Sequence, residues 1–234
     1  MLSWYTIIYT MLTQEQAQKL AIEQNTIVDN ILKEHYQMYL LDLLFKSSFE
    51  KNLVFKGGTA LRLVYGSFRF SEDLDFSLQG DVSFKDFKTT IKSIVNTLPE
   101  AKVKDIYDKH FTLYAQVMFT VDFKPIPIGI KIEVNKEAKD YEHTVTLIKS
   151  PFNNIEVTGR VYTLEAILKD KVSIIENEIR REPRDLFDAW YISQKLNKEF
   201  IIKDKYRYTQ KELMDSLNPF IPKKHSKVME LFRL

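Results

Sequence analysis

The chain has 234 residues, enough for a sizeable core and one or two domains. Hydrophobic residues make up 44% and charged residues 28%, which is ordinary for a globular protein and excludes a disordered chain. A net charge of +2 excludes a global basic field, leaving only local patches for nucleic acid, and the absence of cysteine excludes disulfides and thiolate metal sites, as in a reducing cytoplasm.

The run MLSWYTIIYTML opens the chain. It is too short to span a bilayer and lacks the basic start and small-residue cleavage site of a signal peptide. No membrane segment is expected. Met11 reads as an ordinary domain start, so residues 1–10 are either an extension or a start codon placed too early. Thr13 with Gln16 predicts a capping box for a first helix. Ile27 to Phe45 carries apolar residues at helical spacing. Leu53-Val54-Phe55 predicts a strand, Gly57-Gly58 a turn, Thr59 to Tyr65 a short helix, and Asp73-Leu74-Asp75 a second, acidic strand. Ser83 and Asp86 predict a capped helix ending near Leu98, before Pro99. Residues 101–122 are rich in aromatic and β-branched residues and read as strands. From Ile126 to Val134 the pattern alternates strictly, with Ile128, Ile130, Ile132 and Val134 on one face and Gly129, Lys131 and Glu133 on the other. Thr163 to Ile179 and Asp185 to Gln194 are helical by pattern, and Pro183 suits the first turn of the second. The tail, 199–234, is Lys-rich, aromatic and expected to be helical. This order predicts an α+β fold. A core with N-terminal helices is expected over 1–150 and a mainly helical domain over 151–234.

The most informative stretch is KGGTALRLVYGSFRFSEDLDF, residues 56–76. Side chains alternate along a strand, so Asp73 and Asp75 point to one face and Leu74 and Phe76 to the other. Paired carboxylates raise each other's pKa, a cost that a cation between them relieves. Oxygen-only ligands suit Mg²⁺ or Mn²⁺ together with substrate phosphates. The glycine pair lets backbone approach a phosphate closely, and a helix starting near Thr59 aims free N–H groups at it. A lone D-x-D is usually a solvated surface pair, and a lone Gly-Gly only a turn. The combination of strand, turn, helix and acidic strand carries the weight.

The G-[GS]-x(n)-D-x-D order resembles the signature of the polymerase β-type nucleotidyltransferase fold, a mixed sheet with flanking helices. The fuller string, F-K-G-G-T-A-L-x-L…R-F-S-E-D-L-D-F, resembles the AbiEii/AbiGii nucleotidyltransferase toxins of toxin–antitoxin and phage-defence systems, a group that includes the MenT toxins. The resemblance runs from about Leu53 to about Tyr191.

Other residues extend this reading. Glu133 sits where polymerase β-type enzymes often place a third metal carboxylate; alternatively it pairs with Lys131 on the surface. Lys171 falls in the apolar arc of Leu164, Ile167, Leu168, Ile174 and Ile175, with Lys169 and Asp170 pointing outward. A buried ammonium requires an anionic partner, either a carboxylate or a phosphate, unless it snorkels to the edge of the core. Its L-x-x-K-x-x-x-I setting resembles the family's motif lysine. Arg184-Asp185-x-x-Asp188 resembles the family's R-D-x-x-D segment. Asp185 is expected to cap its helix, to anchor Lys171 or to help activate the acceptor, and Asp188 to pair with Arg184. Lys56, Arg69 and Ser71 flank the turn and the acidic strand, where they could contact a triphosphate; Ser71 could also be a modification site. The four histidines show no metal spacing.

The resemblance implies transfer of a nucleotide from an NTP to an RNA acceptor, the 3′ end of a tRNA, under the control of a cognate antitoxin. In that scheme Asp73, Asp75 and Glu133 hold the metal. Lys56, Gly57, Gly58, Thr59, Arg69 and Ser71 bind the nucleotide, and Lys171 and Asp185 complete the catalytic set. Lys203, Lys205, Arg207, Lys223 and Lys224 are candidates for phosphate contacts. Two alternatives stand beside it: a transferase of the same fold acting on a protein or small molecule, and a non-catalytic partner subunit.

Overall fold

The computed structural model describes residues 10–98, 100–137 and 141–234. The opening run through Tyr9 and the helix-ending Pro99 lie outside the described residues. Thr13 caps α1 (Gln14–Glu23) through the expected box: its hydroxyl accepts from the Gln16 amide while the Gln16 side chain accepts from the Thr13 amide. α2 (Val28–Phe45) is buried over most of its surface. β1 (Leu53–Lys56) runs straight into α3 (Gly57–Leu63), so the helix starts at the first glycine, two residues before the expected Thr59. β2 (Leu74–Leu78) follows, then α4 (Phe84–Asn96), capped by Ser83. β3 (Ala101–Asp108), β4 (Thr112–Phe119) and β5 (Ile128–Asn135) come next.

Two further strands were not anticipated, β6 (His143–Lys149) and β7 (Glu156–Tyr162). α5 (Leu164–Glu176) and α6 (Pro183–Lys195) follow, with Pro183 at the first position of α6. The tail is only partly α-helical. It holds short 3₁₀ segments at Asp204–Tyr206 and Lys223–Phe232 around one α-helix, α7 (Gln210–Ser216).

The seven strands form one mixed sheet in the order β3-β4-β5-β2-β1-β7-β6. β1 pairs antiparallel with β2 and parallel with β7, and β2 pairs parallel with β5. The sheet therefore continues past residue 150 to Tyr162. The central strands bury Val54, Phe55, Phe76, Ile130 and Ile132 completely. α2 packs over β5 and β7, and α4 over β3 and β4. A second apolar cluster, built on Leu186, Phe187, Tyr191, Tyr208, Leu217 and Phe232, ties α6 to the tail. The fold is α+β, with flanking helices and a helical part from Thr163 onward. Among the described residues no helix is long and apolar enough to cross a membrane.

Candidate active site

Sheet register assembles the polar side chains. Lys56 lies opposite Asp75, Asp75 opposite Glu133, and Glu133 opposite Tyr114, so four strands contribute one lateral row. Neighbouring strands are about 4.8 Å apart, which sets Asp75 and Glu133 side by side. Leu74 and Phe76, the alternating partners of Asp75, are fully buried on the opposite face, as the period-two pattern requires. Asp73 directly precedes the strand, and its carboxylate leans toward the Lys131 ammonium at 3.7 Å.

The two glycines serve the protein's own side chains. Gly57 adopts φ +79°, and a Cβ there would collide with the Asp75 carboxylate. A Cβ on Gly58 would collide with the Arg69 guanidinium and crowd the Ser71 hydroxyl. Thr59 is buried and donates its hydroxyl to the Asp73 carbonyl at 2.5 Å, which fixes the entry to β2. The turn thus holds Asp73 and Asp75 in place before any ligand arrives.

Lys56, Gly57, Asp75, Glu133 and Lys171 converge on an open cleft of about 190 Å³. Asp170 and Arg180, which the sequence did not single out, line it as well. Asp170 does not point outward as expected; it is buried and pairs with Lys56 at 3.2 Å. A larger cavity of about 650 Å³ lies elsewhere, beside Thr10, His35, Tyr39 and Asn153, away from the carboxylates.

Behind the cleft lies a chain of five charges. Arg69 is buried and grips Asp188 with two nitrogens, Nε at 2.9 Å and Nη2 at 2.8–2.9 Å. Lys171 reaches Asp188 at 2.9 Å and Asp185 at 2.6 Å. Arg180 closes on Asp185 through Nε at 2.5 Å and Nη2 at 2.8 Å. The buried ammonium therefore has its anionic partners, as its position in the apolar arc demanded. Asp185 anchors Lys171 and does not cap the helix; Glu182 does, by accepting from the Arg184 amide at 3.2 Å. Asp188 does not pair with Arg184, which turns to Glu182 at 3.3 Å and Glu72 at 3.6 Å. The Arg69 guanidinium is occupied within the protein, and the Ser71 carbonyl accepts from Gln37.

The electrostatics follow from burial. Desolvation, with Asp73 and Glu133 adding to it, pushes the Asp75 carboxyl up to about 6. Desolvation also raises Asp73, with Lys131 opposing. Burial pulls the Lys171 ammonium down, but Asp188 and Asp185 outweigh it and leave its pKa raised. Burial likewise opposes ionisation of Asp185, yet Arg180 and Lys171 hold it far below the usual carboxylate range.

A divalent cation fits the kind of donor present. Asp73, Asp75 and Glu133 are all oxygen donors, and among the described residues none donates a hydrogen bond to the Asp75 or Glu133 carboxylate. Among those residues no three carboxylates or imidazoles already form a closed cluster, because Asp73 turns toward Lys131.

A pH dependence of stability follows. Between the ordinary carboxyl range near 4 and about 6, the folded protein keeps a proton on Asp75 that the unfolded chain has released. Metal-free stability should therefore fall as pH rises across that window, by on the order of 3 kcal/mol. Asp185 acts in the opposite sense, losing stability as pH drops below about 4. Melting temperatures of wild type and Asp75→Asn without metal should agree near pH 4 and diverge above pH 6, with the variant higher. Parallel curves would contradict the assignment.

Comparison with known proteins supplies the identity. The family model described as "Nucleotidyl transferase AbiEii toxin, Type IV TA system" matches residues 39–225. The chain belongs to the AbiEii nucleotidyltransferase toxin family. Three solved structures share the fold of this AbiEii-family protein. MenT4, a nucleotidyltransferase toxin from Mycobacterium tuberculosis, is 17% identical with a TM-score of 0.62, covering 94% of this chain and 87% of its own. JHP933 from Helicobacter pylori is 23% identical with a TM-score of 0.54, covering 72% and 68%. A putative nucleotidyltransferase from H. pylori is 21% identical with a TM-score of 0.51, covering 78% and 70%. No curated protein matches the chain. The AbiEii toxin is an enzyme of the nucleotidyltransferase class, and its type IV system implies an antitoxin partner and an NTP substrate.

Proposed function

We propose that this AbiEii toxin transfers a nucleotide from an NTP to an RNA acceptor, the 3′ end of a tRNA, using Mg²⁺ or Mn²⁺ held by Asp73, Asp75 and Glu133. The observation that carries the reading is Asp75: half-buried, unbonded among the described residues, crowded by Asp73 and set beside Glu133. When bound, the cation would neutralise triphosphate charge and acidify the acceptor hydroxyl. Asp75 and Glu133 orient that hydroxyl for in-line attack on the α-phosphorus. Lys171, fixed between Asp185 and Asp188, supplies positive potential for charge developing toward pyrophosphate. Lys56 and the Gly57-Gly58 turn shape the phosphate side of the cleft, with Thr59, Arg69 and Ser71 holding that turn from beneath. The reaction takes place in the cytoplasm, under a cognate antitoxin, in phage defence.

A neighbouring groove favours RNA as the acceptor. It has a volume of about 380 Å³ and shares Arg180 with the cleft; Arg181, Lys205, Tyr206 and Tyr208 line it together with Glu178 and Glu182, so cations exceed carboxylates there by one. Cations interleaved with aromatic rings suit phosphates and unstacked bases of single-stranded RNA ends. Incubation with each of four radiolabelled NTPs, total RNA and total protein tests the reading; label in RNA supports it, and label only in protein overturns it. Replacing Lys203, Lys205 and Arg207 together with Gln should raise the acceptor KM and flatten its salt dependence by a slope of about 2–3. NTP affinity should barely change. An acceptor affinity independent of salt in the wild type would remove RNA phosphates from the account.

A further inference from the structure

We infer that Arg180 is a phosphate-binding residue of the cleft, the side chain through which the buried charge chain reaches the triphosphate. This rests on the nucleotidyl-transfer reading and adds a residue to it. The five linked groups are Arg69, Asp188, Lys171, Asp185 and Arg180, three cations and two anions, so the chain carries one positive charge in excess. Arg69, Asp188, Lys171 and Asp185 have side chains between 0% and 9% exposed, whereas Arg180 is 58% exposed. The excess charge therefore meets solvent at one end only, and that end lines the cleft containing Asp75 and Glu133.

Donor counts point the same way. A guanidinium has five N–H donors. Asp185 accepts one from Nε and one from Nη2, so 5 − 2 leaves three. Arg180 can keep its grip on Asp185 and still present a fork to an anion. Lys171 has three donors, of which Asp185 and Asp188 take two, and its side chain is nearly buried where it reaches the cleft. Lys56 is committed to Asp170. Among the cations lining the cleft, Arg180 has the most open donors and the least protein around it. Asp185 is then a positioning residue: it stays ionised because Lys171 supports it, and it fixes the plane of the guanidinium. Bidentate arginine–phosphate contacts are strong and geometrically specific, so little rearrangement is needed on binding.

Inorganic tripolyphosphate isolates this role, because it carries the phosphates without a base or a known NTP. Binding is measured by calorimetry with EDTA present, so that bridging metal contributes nothing. Wild type should bind, Arg180→Gln should bind about tenfold to hundredfold more weakly, and Arg180→Lys should recover only part of the loss. Binding of plain nucleosides, which lack phosphate, should be the same in all three. A structural role alone would lower the melting temperature of Arg180→Gln and leave tripolyphosphate affinity unchanged. Equal affinity in wild type and Arg180→Gln, or no binding to either, overturns the inference. The transfer reading is judged separately by Asp75→Asn, whose outcome does not depend on Arg180.

Discussion

Asp75→Asn is expected to abolish nucleotidyl transfer while raising the melting temperature of the metal-free protein. The amide keeps the size of the side chain and the contact with Gly57 but removes one charge from a crowded, desolvated site. Loss of a metal carboxylate removes several kcal/mol of charge stabilisation in the transition state, so activity should fall about 10³-fold or more. Relief of repulsion with Asp73 and Glu133 acts the other way on stability. Added Mg²⁺ should raise the melting temperature of wild type above pH 6 and leave the variant unmoved. Transfer near the wild-type rate with metal present would refute the assignment of Asp75.

The charge chain yields the second large effect. Lys171→Met and Asp188→Asn both break contacts to one buried cluster, yet they should behave differently. Without Lys171, Arg69 still holds Asp188 and Arg180 still holds Asp185, one arginine to each carboxylate. The stability loss should stay within about 1–2 kcal/mol, since the desolvation of an ammonium disappears as well. Activity should fall about 10²- to 10³-fold. Without the Asp188 charge, Arg69 is left buried with only neutral acceptors, the Phe70 carbonyl and the amide oxygen of the variant, and Lys171 loses one of two counter-ions. That should cost about 3–5 kcal/mol. Denaturant unfolding of the pair, with specific activity measured on the folded fraction, separates the two roles. Full activity in folded Lys171→Met would reduce the lysine to a structural counter-ion.

Local signals in the sequence were strong where neighbours in the chain are also neighbours in space. Thr13 with Gln16, Ser83, Pro183 and the alternation of Ile128 to Val134 each describe contacts only a few residues long. The Lys171 anomaly also resolved correctly, because an ammonium on an apolar arc demands anions wherever they come from. The strands β6 and β7 escaped notice for a physical reason. β6 sits at the sheet edge with most of its side chains exposed, so its alternation is diluted, and β7, its hairpin partner, joins the sheet by pairing with β1 across a hundred residues. The pairing of Arg69 with Asp188 spans 119 positions and left no local mark. Asp170 was assigned to the outer face of α5 by helical counting, but the cleft wraps far enough around the helix to bury it beside Lys56.

The topology also bears on when the protein becomes dangerous to its host. Asp73, Asp75 and Glu133 leave the ribosome early, but the centre they belong to is completed from both ends of the sequence. β7 must close against β1, and α6 must deliver Asp185 and Asp188 to Lys171 and Arg69. A polypeptide interrupted before Asp185 holds every proposed metal carboxylate, yet it leaves Arg69 without its carboxylate partner and Lys171 without either of its own. Chains truncated before Asp185 are therefore expected to show no transfer activity in the labelling assay, whatever metal is added.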